Sequence, residues 1–160
     1  MTPFDPAGYQ DPLTIQRVIH GARTVAIVGL SNNHLRASYF VGYYLKRHGY
    51  RVVPVNPRET EILGEKSYPS LSDIPDPVDV VDVFRRPEDV PAIAESAVRV
   101  GARVLWLQLG IRSPAATTIA GLAGLTVIED RCMKIEFGRL SGELAWSGIN
   151  TRVLSARRQR

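Results

Sequence analysis

The sequence is poor in cysteine, in long apolar runs and in unbalanced charge. Cys132 is the one cysteine among 160 residues, which excludes an internal disulfide framework and a cysteine-built metal cluster. No apolar run approaches the ~18 residues that a membrane-spanning helix needs. Met1 to Gln10 holds prolines and an acid but neither a basic region nor an apolar one. No secretory signal is therefore expected, and a cytoplasmic protein is the simplest reading. His20, His34 and His48 fall on different predicted elements and show no metal-ligand spacing. The net charge of +4 is carried by Arg152, Arg157, Arg158 and Arg160, because residues 1–150 balance at 16 basic and 16 acidic side chains. The high pI is thus set by a short tail, read as a solvated extension. No basic stripe interleaved with aromatics accompanies it, so nucleic acid is not expected as a partner.

What is present describes a globular domain. Hydrophobic residues make up 44% and charged residues 22% of the chain, ordinary proportions for one domain of this length. Short apolar runs at Val25–Val28, Arg51–Val55, Val78–Phe84, Arg103–Leu109 and Leu125–Ile128 read as strands covered on both faces. Helical patterns occupy Leu13–His20, Ser38–His48, Pro87–Val100 and Ser113–Leu122, with a short one from about Asp130 to Leu140. Asp11-Pro12 and Ser113-Pro114 are helix starts, and Gly49 and Gly101 are helix stops. Residues 58–77, with three prolines, read as an irregular loop with one turn of helix near Leu71–Asp73. Strands alternating with helices imply crossovers and a parallel sheet. The expected fold is α/β: a single doubly wound domain with a five-stranded parallel sheet, order 3-2-1-4-5. A ligand then belongs outside the carboxyl ends of the strands where the winding reverses, between strands 1 and 4. That selects the loops Gly29–Arg36 and Gln108–Arg112.

The first loop has the chemistry of an anion site. Gly29 lets the chain turn sharply at the end of strand 1, and the following helix offers unpaired amides and a positive dipole end. Ser31, Asn32 and Ser38 add hydrogen-bonding groups, and Arg36 adds a guanidinium fork suited to phosphate. His34 lies in the same loop. The dinucleotide fingerprint G-x-G-x-x-G is not matched, since Ser31 stands at its second glycine. Strand 2 ends Asn56-Pro57-Arg58 instead of in the acid that grips an NAD ribose. Arg58 there suits a phosphorylated ribose.

Strand 3 ends Phe84-Arg85-Arg86-Pro87, an apolar ring beside guanidinium groups that can hold an adenine. Strand 4 ends with Trp106, Gln108 and Gly110. Core packing is favoured for Trp106 and Phe84, while Gln108 is open between a structural and a ligand role. Asp79 and Asp82 point to opposite faces of their strand, so they are read as separate hydrogen-bonded structural groups. Cys132 is read as a buried thiol, with a nucleophile as the sharper alternative.

Five segments taken together resemble a family: Ala26–Ser31, Gly49–Pro57, Asp82–Glu88, Leu105–Gly110 and Asp130–Glu136. They are similar to the small bacterial CoA-binding proteins with a Rossmann-like fold, relatives of the CoA-binding domain of the succinyl-CoA synthetase alpha subunit. The resemblance spans residues 13–140, leaving 1–12 as an N-terminal and 141–160 as a C-terminal extension with the basic tail. It implies coenzyme A or a short acyl-CoA as ligand. It places Gly29, Leu30, Ser31 and Asn32 at the pyrophosphate with Arg36 and Ser38 nearby, and Asn56, Pro57 and Arg58 on the nucleotide side. It places Phe84, Arg85 and Pro87 about the adenine, and Gln108, Gly110 and Ile111 along the pantetheine arm. It assigns no chemistry to Asp130–Glu136. The synthetase's second domain, with its phosphorylated histidine, has no counterpart here, so non-catalytic binding is the expected activity. The alternatives are an enzyme using NADP or Cys132, and a subunit that reports acyl-CoA levels to a partner protein. A homodimer is a further possibility that no residue argues for.

Overall fold

The structure, a computed structural model, describes residues 11–140; the arginine tail lies outside them. The elements in chain order are α1 (Pro12–Gly21), β1 (Thr24–Val28), α2 (Ala37–Arg47), β2 (Arg51–Val55), β3 (Glu61–Ile62), β4 (Glu65–Lys66), β5 (Val80–Val83), α3 (Val90–Arg99), β6 (Val104–Leu107), α4 (Pro114–Leu122), β7 (Thr126–Ile128) and α5 (Met133–Leu140). Single 3-10 turns stand at Leu71–Asp73 and Pro87–Asp89.

β1, β2, β5, β6 and β7 form one parallel sheet. Side chains alternate between its two faces. Ala26, Val53, Val81, Val83, Leu105 and Val127 pack into one apolar cluster with α3 and α4. Val25, Ile27, Val52, Val80, Trp106 and Ile128 pack into the other with α1, α2 and α5. β5 and β6 are buried along their whole length, as strands covered by helices on both sides must be. The expected doubly wound α/β class holds.

The strand order differs from expectation. Counting the five sheet strands alone it is 2-1-3-4-5, not 3-2-1-4-5, because β5 pairs with β1 from Val25↔Val80 to Val28↔Val83. The reason lies in β5 itself. Four residues with no exposed face need a neighbour on each side, whereas β2, with exposed Arg51 at its start, tolerates the sheet edge. The winding therefore reverses between β1 and β5. Both orders obey the same rule for ligand placement, but the loop beside Gly29 is now Phe84–Pro87, not Gln108–Arg112.

The long connection from β2 to β5 is more ordered than its composition suggested. β3 and β4 form a small antiparallel hairpin whose turn, Leu63-Gly64, has φ of 56° and 74°. A two-residue turn with both φ positive is the geometry that fits strand twist, but leucine at its first position hides it from a residue-type search. Lys46 Nζ donates to the Leu63 carbonyl at 2.6 Å and pairs with Glu65 at 3.1 Å, which holds the hairpin on α2. Farther along, Tyr68 bridges to β2: its amide donates to the Pro54 carbonyl at 3.0 Å, and its own carbonyl accepts from Asn56 N at 2.9 Å. In a strand, N and O of one residue point the same way. Pro54 thus directs its missing N–H outward, where no ladder bond within the sheet is lost.

Asp79 has the structural role expected of it. Its carboxylate accepts from the amides of Arg23 at 2.9 Å and Thr24 at 3.0 Å, tying the start of β1 to that of β5. Trp106 is wholly buried and donates from Nε1 to the Arg131 carbonyl at 2.8 Å. Among the described residues no helix is long and apolar enough to cross a membrane, and no three His, Cys, Asp or Glu side chains gather as metal ligands.

Candidate functional site

A cleft of about 920 Å³ opens at the carboxyl ends of β1, β2 and β5, where the winding reverses. Its floor is Gly29. This residue has φ of 88°, and a Cβ built on it would lie 2.7 Å from the Phe84 carbonyl oxygen and 3.0 Å from Arg85 Cδ. Only a hydrogen fits there, because Gly29 packs directly against the Phe84–Arg85 loop. One wall is the start of α2, where Arg36, Ala37 and Ser38 face the cleft. Arg36 N is taken by the Asn33 carbonyl at 2.9 Å and Tyr39 N by the Arg36 carbonyl at 3.1 Å, so this wall presents the N–H groups of Ala37 and Ser38 and the positive end of a dipole.

The loop between Gly29 and α2 is braced by its own side chains. Ser38 Oγ accepts from Ser31 N at 3.0 Å, Ser31 Oγ from Asn33 N at 3.0 Å, and Asn33 Oδ1 from Leu35 N at 2.9 Å. Each hydroxyl that accepts still has its own proton to donate. Asn56 joins this loop to the next. Its Nδ2 donates to the Leu30 carbonyl at 3.0 Å and its Oδ1 accepts from Arg58 N at 2.9 Å. The shape is therefore fixed before any ligand arrives.

Arg36, Arg58 and Arg85 all line this cleft. Pro69, Ala92 and Ile93 add apolar surface to the lining, together with Glu88 and Asp89. Three guanidinium groups, free amides and an apolar slot suit a molecule with several anionic oxygens and a flat ring.

Of the residues singled out from sequence, the cleft wall gathers Gly29, Ser31, Arg36, Ser38, Asn56, Pro57, Arg58, Phe84 and Arg85. It does not include the others. Leu30 is fully buried in the α1–α2–α5 cluster and offers only its carbonyl to Asn56. Asn32 is exposed, with Nδ2 3.5 Å from Glu59. His34 is exposed and meets the Tyr39 ring edge-on. Pro87 opens the 3-10 turn before α3.

Gln108, Gly110 and Ile111 lie off the cleft, on the loop after β6. Gln108 is buried and donates from Nε2 to Asp82 Oδ1 at 2.8 Å. The structural alternative for this residue is the one the contacts show. Gly110 N donates to Asp130 Oδ1 at 2.7 Å. That amide, with Arg112, holds the Asp130 carboxyl below its usual range. Asp130, at φ of 52°, thus clamps the 108–112 loop. The stretch after it is architectural as well. Glu136 and Arg139 form a buried pair at 3.4 Å.

Sequence reasoning missed Pro69, Glu88, Asp89, Ala92 and Ile93 as cleft residues. Glu88 and Asp89 are also acids at the approach to a helix, where they complement its dipole. The signal that finds them is strand order: once β5 adjoins β1, the start of α3 must face the start of α2.

Cys132 is buried, and burial pushes its thiol above the usual value, with the Asp82 carboxylate acting in the same direction. A thiol held protonated is a poor nucleophile. We expect a disulfide reagent at pH 7.5 to label Cys132 on the order of 100-fold more slowly in the folded protein than in urea. Equal rates, followed by absorbance, would return Cys132 to the list of reactive groups.

Comparison with known proteins agrees with this geometry. Residues 23–138 match the family model of a CoA binding domain. The chain is similar to the YneT protein of Bacillus subtilis (strain 168), 38% identical over 121 residues that cover 76% of this chain and 90% of that one. It is also similar to the ADP-forming acetate–CoA ligase II of Archaeoglobus fulgidus, 31% identical over 83 residues. These are 51% of this chain but only 12% of the ligase. Among solved structures, a protein of Pyrococcus horikoshii OT3 superimposes with a TM-score of 0.82 at 38% identity, covering 89% of this chain and all (100%) of that one. A family model that fits from the start of β1 almost to the end of α5 makes this chain a member of the CoA-binding domain family.

Proposed function

We propose that the cleft binds coenzyme A or a short acyl-CoA, and that the chain acts as a binding module without chemistry of its own. The observation that carries this reading is the lining of the cleft, where the start of α2 and the guanidinium groups of Arg36, Arg58 and Arg85 meet at the carboxyl ends of β1, β2 and β5. Unspent amides beside three arginines suit phosphate oxygens. In this reading the Gly29–Ser31 turn, Arg36 and Ser38 hold the pyrophosphate, and Asn56–Arg58 face the ribose with its phosphate. Phe84, Pro69 and Ile93 flank the adenine. The family match supports coenzyme A over other nucleotides.

Calorimetry with coenzyme A, acetyl-CoA, NADP, NAD and ADP tests it. Coenzyme A and acetyl-CoA are expected to bind at least tenfold more tightly than NAD, since Arg58 replaces the acid that would grip an unphosphorylated ribose. NAD binding more tightly than coenzyme A would overturn the assignment.

A further inference from the structure

Arg85 spans the floor of the cleft. Its Cδ lies 3.0 Å from the point where a Gly29 side chain would begin, and its Nη2 stands 3.4 Å from Asp89 Oδ2. The same carboxylate oxygen lies 3.5 Å from Arg86 Nε. Two guanidinium groups therefore converge on one oxygen that is shut off from solvent yet, among the described residues, accepts no hydrogen bond. The contact is charge attraction with the directional bonds unmade. Among the described residues the N–H donors of Arg85 remain unspent, while the group is drawn to one place beside the anion cradle.

We propose that Asp89 is a positioning residue for ligand phosphate: it holds Arg85 across the floor of the cleft so that the guanidinium is ordered before the anion arrives. An arginine left free must give up rotamer freedom on binding, and that loss lowers affinity. The inference rests on the nucleotide reading of the cleft for its consequence, but the placement of Arg85 is a property of the free protein.

Two measurements on the whole chain separate these. The first is 15N relaxation of the Arg85 Nε–H in the free protein, for wild type, Asp89→Asn and Asp89→Ala. The signal is expected to be rigid in wild type and to approach the mobility of an exposed arginine in both variants. The second is a double-mutant cycle in coenzyme A affinity. Asp89→Ala is expected to weaken binding roughly fivefold to tenfold, and to cost nothing further once Arg85→Ala is present. A role confined to the fold around α3 would make the two losses add. Additive losses, tighter binding by Asp89→Ala, or an Arg85 signal equally rigid without the carboxylate would each overturn the proposal. Failure of the wild type to bind coenzyme A counts against the proposed function, and the relaxation data then decide the role of Asp89 alone.

Discussion

Gly29→Ala is expected to weaken nucleotide binding by at least about 100-fold and to destabilise the fold by about 2–3 kcal/mol. Two costs act together. The alanine must adopt φ near 88°, a region that costs a non-glycine residue roughly 1–2 kcal/mol. Its methyl group must also clear a backbone oxygen at 2.7 Å. That oxygen cannot give way easily, because Phe84 N is itself bonded to the Val28 carbonyl at 2.9 Å as β5 continues beside β1. The loop must lift instead. Lifting breaks the bond from Gly29 N to the Val55 carbonyl, 2.9 Å long, and displaces both the α2 amides and Arg85. Losing two charge-assisted bonds at ~1.5–3 kcal/mol each accounts for the fall in affinity.

A matched control separates strain from site. Gly101 also has positive φ, 74°, but a Cβ there meets nothing within 4 Å, and it lies at the far end of α3. Gly101→Ala should cost about 1 kcal/mol and leave affinity unchanged. Thermal melts and calorimetry on the two variants check this. Equal binding by Gly29→Ala and wild type would remove the first loop from the site.

The second large effect concerns acidity. Asp82 is fully buried in the central strand, and burial pushes its carboxyl up to about 7 despite the bond from Gln108. Its Oδ2 has no partner among the described residues. The folded state thus keeps a proton that the unfolded chain releases near pH 4. The stabilising contribution is complete below that value, declines steadily as pH rises from about 4 to about 7, and is lost above 7. Above pH 7 the buried charge costs on the order of 4 kcal/mol. Urea unfolding between pH 5 and pH 8 should therefore show falling stability.

Burial raises Glu136 in the same sense, so wild type alone does not isolate Asp82. Asp82→Asn does. The amide keeps an oxygen for Gln108 and carries no charge. The variant should be more stable than wild type at pH 8 by up to about 4 kcal/mol, with the difference shrinking steadily below pH 7 and vanishing only near pH 4. A difference independent of pH would show that the Asp82 carboxyl does not titrate on unfolding.

How much of this was written in the sequence depends on which forces act locally. Strand and helix positions came through because apolar runs, proline starts and glycine stops are local signals. Gly29, Arg36 and Ser38 came through because a strand, a turn and a helix start are contiguous. The strand order did not, since pairing β5 with β1 is a choice made by burial across more than fifty residues. That one choice explains the lining of the cleft: Glu88, Asp89 and Ile93 enter it through no local signal, while Gln108, Gly110 and Ile111, expected along the pantetheine arm, lie outside its lining. The Leu63-Gly64 hairpin was missed for the opposite reason. Its turn is strictly local, but leucine, fixed by the bond from Lys46 to its carbonyl, takes a place usually held by asparagine, aspartate or glycine.

The Tyr68 bridge to Pro54 has a consequence for how copies of the protein meet in a crowded solution. An open sheet margin is a template for unwanted chain-to-chain zippering. Here one margin is occupied by the chain's own Tyr68 segment and carries a proline with no proton to offer, and the other is a strand of only three residues. Both margins are thus blunted against zippering of copies through shared β-structure.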